Sequence, residues 1–375
     1  MVDLNRWAWV EIDLAAIRHN TAVLVRRAGR AQLWATVKAN GYGHGAIETA
    51  RAALDSGAQG LCVALADEAH QLRTAKISAP ILVVSEQPPV AFEQMLGDKV
   101  VATLYNETTI AEYAATAARL KTVGTVHLKV DTGMHRVGAP LEAAMARVDQ
   151  IASLPSLKLD GVYTHFAAAD LPQHDETAKQ MRRFAEFVAE LERRSLRPKH
   201  VHISNSAATL RDLTGQTDIV RVGVALYGIS PSAEMQADAT ELRPALTWRA
   251  RVSHVQRLAA GEGISYGLRH RLERESTIAT LPLGYADGVS RRLWKSGGEV
   301  LIAGRRCPIV GVVTMDQMMV DCGDMKTNIG DDAVLLGRQQ DQTISANDIA
   351  AKLDTIGYEI VCAISSRVPR VYLNR

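Results

Sequence analysis

Eight short apolar runs rich in β-branched residues recur between residues 33 and 224, and Ala-, Glu- and Arg-rich segments lie between most of them. The runs are 33–38 (LWATVK), 60–65 (GLCVAL), 80–85 (PILVVS), 100–105 (VVATLY), 125–131 (TVHLKVD), 159–166 (LDGVYTHF), 200–206 (HVHISNS) and 219–224 (IVRVGV). Segments such as NETTIAEYAATAARL and DETAKQMRRFAEFVAELERR between them have helical character. Strands alternating with helices in this way predict a (β/α)8 TIM-type barrel, and the length of the region suits that fold.

After about residue 240 the texture changes to short strands separated by glycine turns, as in ESTIATLPLGY and EVLIAGRRCPIVGVVT. The expected organisation is an α/β barrel over 1–240 and a β-rich domain over 241–375, divided near the polar stretch AEMQADATELRPA. WAWVEID, near the N-terminus, reads as an extra strand that pairs with the second domain.

A formal net charge of +2 gives no electrostatic ground for binding nucleic acid or a membrane surface. Asp3, Glu11 and Asp13 interrupt the first apolar region, so it does not read as a signal or transit peptide, and no run has the length of a membrane span. Cys62, Cys307, Cys322 and Cys362 show no CxxC spacing. They are expected to be reduced thiols in a cytoplasmic protein, with no metal role.

Barrel enzymes carry their chemistry at the C-terminal ends of the strands. Lys38, Asp131, His165, Asn205, Ser206, Arg221 and Gly223 fall there. Lys38 is either an ordinary strand-end lysine or a Schiff-base former, whose amine must be neutral to attack an aldehyde. Desolvation by an apolar strand favours that neutral form. The glycines at 41, 43 and 45 allow backbone to approach a ligand closely. Ser206 reads equally as a helix N-cap or as a phosphate ligand. His165 is a core histidine or the floor beneath a flat ring. Lys129 and Asp131 project to one face of their strand, so Asp131 is a candidate counter-charge, with Lys129 at the solvated rim as the alternative. Arg136 follows in a glycine-bounded loop.

Nine stretches, VKANGYGHG, LKVDTGMHRVG, YTHFAAAD, HISNSAA, VRVGVALYG, ISYG, LPLGYADGVSRRL, TMDQ and IGYEIVCAISSRVPRVY, stand in the order found in alanine racemases. The chain resembles that family of fold type III pyridoxal-phosphate enzymes nearly end to end. The resemblance implies that Lys38 holds the cofactor as an internal aldimine and is one catalytic base. Tyr266 is implied to be the other, on the opposite face and from the partner subunit of a homodimer. Arg221 would bond the pyridine nitrogen with His202 behind it, and His165 would pack by the ring. Tyr42, Ser206, the backbone at Gly223 and Val224, and Tyr358 would hold the phosphate, with Asn205 among the cofactor contacts. Arg136 would steady Tyr266 and, with the Met315 backbone, meet the substrate carboxylate. Lys129 is implied to be a carbamylation site, and Asp170, Tyr285 and Arg291 to line the access path. Departures from the family pattern are Gly41, His135, Thr314 and Gly357, with Ser366 at a variable site. None removes a catalytic group, and Gly357 beside Tyr358 bears on specificity.

The implied reaction interconverts L- and D-alanine, supplying D-alanine for peptidoglycan. A guanidinium only donates, so it cannot accept a hydrogen bond from a protonated pyridine nitrogen, and the nitrogen beside it stays an unprotonated acceptor. The ring is then a weaker electron sink, which disfavours transamination and decarboxylation. A basic-amino-acid decarboxylase of the same architecture, which would place a carboxylate there, is the rival reading. A racemase of broader specificity, accepting serine, is another. A non-catalytic cofactor-binding barrel and a cofactor-free barrel aldolase are more distant alternatives.

Overall fold

The computed structural model of the chain describes residues 5–215 and 217–374. Residues 17–41 and 46–242 form one compact unit, and the described residues up to 16, 42–45 and from 243 onward form a second.

The first unit is built on eight parallel strands: Gln32–Thr36, Gly60–Val63, Ile81–Val83, Val101–Leu104, Gly124–Asp131, Leu157–Tyr163, His200–His202 and Ile219–Val222. From the first to the seventh, each pairs with the next in chain order, and the eighth pairs with the first through Val220 and Leu33. The remaining seam, between the seventh and eighth strands, is crossed by backbone bonds from Asp218 to Val201 at 2.8 Å and from Arg221 to Ser204 at 3.0 Å. All eight expected strands are present and form a nearly closed barrel. Helices cover it because their apolar residues recur on one face: Glu176–Arg193 buries Phe184, Phe187 and Leu191. Inside, Trp34, Cys62, Leu82, Val101 and Ile219 form one cluster. Burying each large apolar side chain contributes roughly 1.5–3 kcal/mol.

Most strands end earlier than expected. The first stops at Thr36 and the seventh at His202, because the residues that follow turn their backbones toward the barrel mouth. Chemistry-bearing residues such as Lys38 and Ser206 therefore sit just beyond the strands.

In the second unit, Leu246–Arg251, Ser276–Leu281, Glu299–Ile302, Arg305–Val310, Met318–Gly323 and Asp332–Gln339 pair antiparallel. The N-terminal strand Ala8–Asp13 joins this sheet, antiparallel to Leu246–Arg251 and parallel to Arg370–Leu373. The division thus departs from 1–240 and 241–375 at two places. The N-terminal strand goes with the sheet it pairs in. Residues 42–45 also join the second unit, where Arg370 Nε donates to the Gly43 carbonyl at 3.1 Å. Among the described residues no helix is long and apolar enough to cross a membrane.

Candidate active site

Lys38 opens a turn of unusual hand. Ala39, Asn40, Gly41 and Tyr42 all have φ between 52° and 62°. A left-handed residue other than glycine costs roughly 1–2 kcal/mol. The local structure offsets this with hydrogen bonds. Gly41 N–H donates to the Val37 carbonyl at 2.8 Å. Asn40 Oδ1 accepts the Ala46 amide at 3.0 Å. Glu68 accepts the Ala39 amide at 2.5 Å on one oxygen, and those of Ala64 and Leu65 at 2.8 and 3.1 Å on the other. Glu68 was invisible to motif reasoning, since it lies 30 residues on and meets the loop only through the fold.

Arg221, on the eighth strand, is buried. Its Nη1 donates to His202 Nδ1 at 2.7 Å, and its Nη2 to the Thr164 carbonyl at 2.9 Å and His165 Nδ1 at 3.1 Å. The guanidinium lies 4.9 Å from the centre of the Tyr163 ring, which stacks on His202 at 4.7 Å and 10°. Every hydrogen-bond partner described for it is an imidazole or a carbonyl; none is a carboxylate. Burial, and after it the Arg221 charge, pushes both His165 and His202 well below the usual imidazole range, so both are neutral acceptors. Tyr163 is a second residue the sequence did not single out. It forms an aromatic wall, its hydroxyl tied to Thr103 at 2.8 Å and the Val84 carbonyl at 3.0 Å.

Lys129 is buried and not at a solvated rim. Burial, then Arg136 and Arg221, lowers its amine to about 8. Asp131 offsets this only weakly, because its carboxylate serves the loop. Oδ1 accepts the amides of Gly133, Met134 and His135 at 3.0, 3.0 and 3.1 Å, and Oδ2 lies 3.3 Å from His135 Nδ1. Lys38, Lys129, Arg136 and Arg221 together depress His165, with no acid among its leading influences. The mouth is therefore cationic and suited to anions.

Asn205, not Ser206, is the N-cap of the short helix Ser206–Leu210; its side chain accepts the Ala208 amide at 3.0 Å. Ser206 Oγ instead accepts the Gly223 amide at 2.8 Å and the Ala225 amide at 3.5 Å, and keeps its own proton to donate. It thus joins the turn after the seventh strand to the Gly223–Val224 turn after the eighth. The Asp170 carbonyl accepts Ser232 Oγ at 2.7 Å.

In the second unit, the buried Tyr42 and half-buried Tyr358 rings lie 6.1 Å apart at 49°. A Cβ on Gly43 would come within 2.3 Å of the Val361 carbonyl, so only glycine fits there. Tyr266 stands on a turn between the strands Gly263–Ile264 and His270–Arg271 and is 72% exposed. Ser265 before it has φ 63° and ψ −170°, a region almost reserved for glycine, and its Oγ donates to the Val312 carbonyl at 2.6 Å. Met315 and Tyr285 are neighbours: the Ala286 amide donates to the Met315 carbonyl at 3.1 Å. Tyr285 and Arg291 line a cavity of about 550 Å³ with Trp248, Ile349 and Ile360.

The family models "Alanine racemase, N-terminal domain" and "Alanine racemase, C-terminal domain" match residues 12–231 and 245–372. An alanine racemase of Symbiobacterium thermophilum is 44% identical over 373 residues, covering 99% of this chain and 98% of the relative. The crystal structure of an alanine racemase from Streptomyces lavendulae superposes with a TM-score of 0.94 at 38% identity, covering 100% of this chain and 98% of that one. A histidine racemase from Leuconostoc mesenteroides also matches, with a TM-score of 0.91 at 28% identity and 99% coverage of both chains.

Proposed function

The chain belongs to the alanine racemase family, and from that premise we propose that it interconverts L- and D-alanine with pyridoxal 5'-phosphate and two bases, Lys38 and Tyr266. The observation that carries the reading is Arg221: a buried guanidinium whose described partners are imidazoles and carbonyls with no carboxylate among them, proposed to face the ring nitrogen where a decarboxylase of this architecture would be expected to place a carboxylate.

The residues present fit the cofactor. Lys38 offers an amine for an aldehyde, Arg221 a donor for a ring nitrogen, and the Ser206 hydroxyl, held by the Gly223 amide, offers with the Val224 amide a donor set for a phosphate. Tyr42 and Tyr358 are proposed to complete the phosphate contacts, with Asn205 fixing the Ser206 turn and His165 packing by the ring. When bound, pyridoxal phosphate would capture the substrate amino group and spread the charge left when the Cα proton departs. Tyr266 removes the proton from one face of L-alanine, and Lys38 delivers one to the other; the reverse reaction exchanges their roles. Arg136 and the Met315 backbone orient the substrate carboxylate, while Asp170, Tyr285 and Arg291 line the way in. An amine brought down to about 8 has a large neutral fraction near that pH. Lys129 can therefore attack carbon dioxide, forming an N–C bond and releasing one proton, and the resulting carbamate gives Arg136 an anionic partner.

The exposed Tyr266 supports a homodimer in which a second copy uses it. The four free cysteines support a cytoplasmic enzyme, one supplying D-alanine for peptidoglycan. The likeness to a histidine racemase supports a second reading, broader specificity. The test is to incubate the purified holoenzyme with L-alanine, L-serine, L-histidine and L-lysine in turn and to follow optical activity and carbon dioxide release. Fastest loss of rotation with alanine and no carbon dioxide is expected. Carbon dioxide release from lysine, or rotation lost faster with serine or histidine, would reassign the activity.

A further inference from the structure

Asp160 takes no part in the site as described, yet the fold goes out of register to place it. Between the fifth and sixth barrel strands Val126 pairs with Leu159, and the next residue, His127, pairs with Gly161. Asp160 is the extra residue of a β-bulge, a device that re-aims a side chain. Its Oδ2 faces His127 Nε2 at 3.9 Å and His200 Nε2 at 3.7 Å, and its Oδ1 meets Lys158 at 2.6 Å. Gly161 makes the room: a Cβ there would lie 2.7 Å from the His127 ring. His127 is fully buried, and its Nδ1 is 2.9 Å from His202 Nε2. His202 Nδ1 in turn is 2.7 Å from Arg221 Nη1.

With both rings neutral and oriented as they stand, the protons along this line can be placed in one way. Arginine only donates, so His202 Nδ1 is an acceptor and its single proton is on Nε2. That proton occupies the space between the two rings, so His127 Nδ1 accepts it and the His127 proton lies on Nε2. There it is buried with no hydrogen-bond partner among the described residues, and the Asp160 carboxylate is the anion facing it.

We propose that Asp160 is a positioning residue for Arg221. The bulge sets its charge at the far end of the His127–His202 line, fixing both imidazoles as neutral Nε2–H tautomers that present an acceptor to the guanidinium. An imidazolium at either ring would put two protons between the rings or between His202 and Arg221. The other groups facing the line are Tyr163, stacked on His202, and Trp34 and His200 beside His127, with Lys158 holding Asp160 from the outside. The proposal rests on the racemase reading only for what Arg221 does with the cofactor.

The test uses holoenzyme with 15N-labelled histidine and reads the tautomers from two-bond 1H–15N correlations. In the wild-type protein both rings are expected to be neutral with the proton on Nε2, from mildly acid to mildly alkaline pH. Asp160→Asn should lose the single His127 tautomer and lower kcat for alanine on the order of tenfold, with KM little changed, and Asp160→Glu should recover part of the loss. Gly161→Ala, by displacing the His127 ring, should act in the same direction. A wild-type Nδ1–H or imidazolium at either ring would overturn the proposal, and so would an Asp160→Asn enzyme with unchanged tautomers and kcat. Should that variant fail to fold, Asp160→Glu and Gly161→Ala carry the same comparison of tautomers and kcat against the wild-type protein. Tautomers as stated in a wild-type protein that does not racemise alanine would sink the racemase reading and support the proton line.

Discussion

At the residue scale the site is governed by charges that have been taken out of water. Lys129 and Arg221 are both buried, and each would be costly without partners. Arg221 meets the cost with imidazoles and carbonyls, Lys129 by easy loss of its proton. Because burial, Arg136 and Arg221 bring the Lys129 amine down to about 8, carbamylation should follow pH with a definite sign. Below that value the amine is protonated and inert to carbon dioxide; above it the neutral amine reacts. Protein equilibrated with 13C-bicarbonate at mildly alkaline pH should show one carbamate carbon signal, absent from Lys129→Ala. That variant should be weak and partly rescued by acetate. An active enzyme with no carbamate signal would refute the modification.

At the element scale the two side chains proposed to act as bases stand on strained turns. Lys38 is followed by a left-handed turn, and Tyr266 is preceded by Ser265, which stands in glycine's territory. Ser265→Gly should relieve about 1–3 kcal/mol of strain and lose one hydrogen bond worth about 1 kcal/mol. The melting temperature is therefore expected to hold or rise while kcat falls as the Tyr266 turn loosens. A melting temperature several degrees lower would show that the wild-type turn is not strained. This scale also sets how far the sequence could be read. The barrel strands were legible because β-branched runs such as LWATVK are apolar on both faces. Their ends were not, because Lys38 and Ser206 continue the pattern while the backbone has already turned. The helix cap fell to Asn205, since both residues cap well and only geometry chooses between them. Glu68, Tyr163, His127 and Asp160 left no sequence signal. Their roles come from pairing across strands and, for Asp160, from a bulge that alternation cannot show. Lys38 was singled out by its place at the end of a strand pattern, whereas Tyr266 was reached only through resemblance to a family.

At the scale of the whole molecule, Tyr266, Leu268, Tyr285 and Met315 are large apolar residues exposed on the second unit, a set that suits burial against a second copy. Lys38→Ala and Tyr266→Phe should each be nearly inactive as homodimers. Refolded together, they should regain about a quarter of wild-type activity, since half of randomly paired dimers are mixed and each mixed dimer holds one intact site of two. Verified mixed dimers with no recovered activity would mean that Tyr266 acts within its own chain.

The two-base account itself is tested most directly by isotope transfer. Protiated L-alanine is turned over briefly in deuterium oxide, and the D-alanine formed first is separated and weighed by mass spectrometry. With Tyr266 removing the proton and Lys38 delivering another from the opposite face, the new D-alanine should carry deuterium at Cα from the first turnovers. Substantial protium carried from substrate into that product would mean that one group moves the same proton between faces, and would contradict the account.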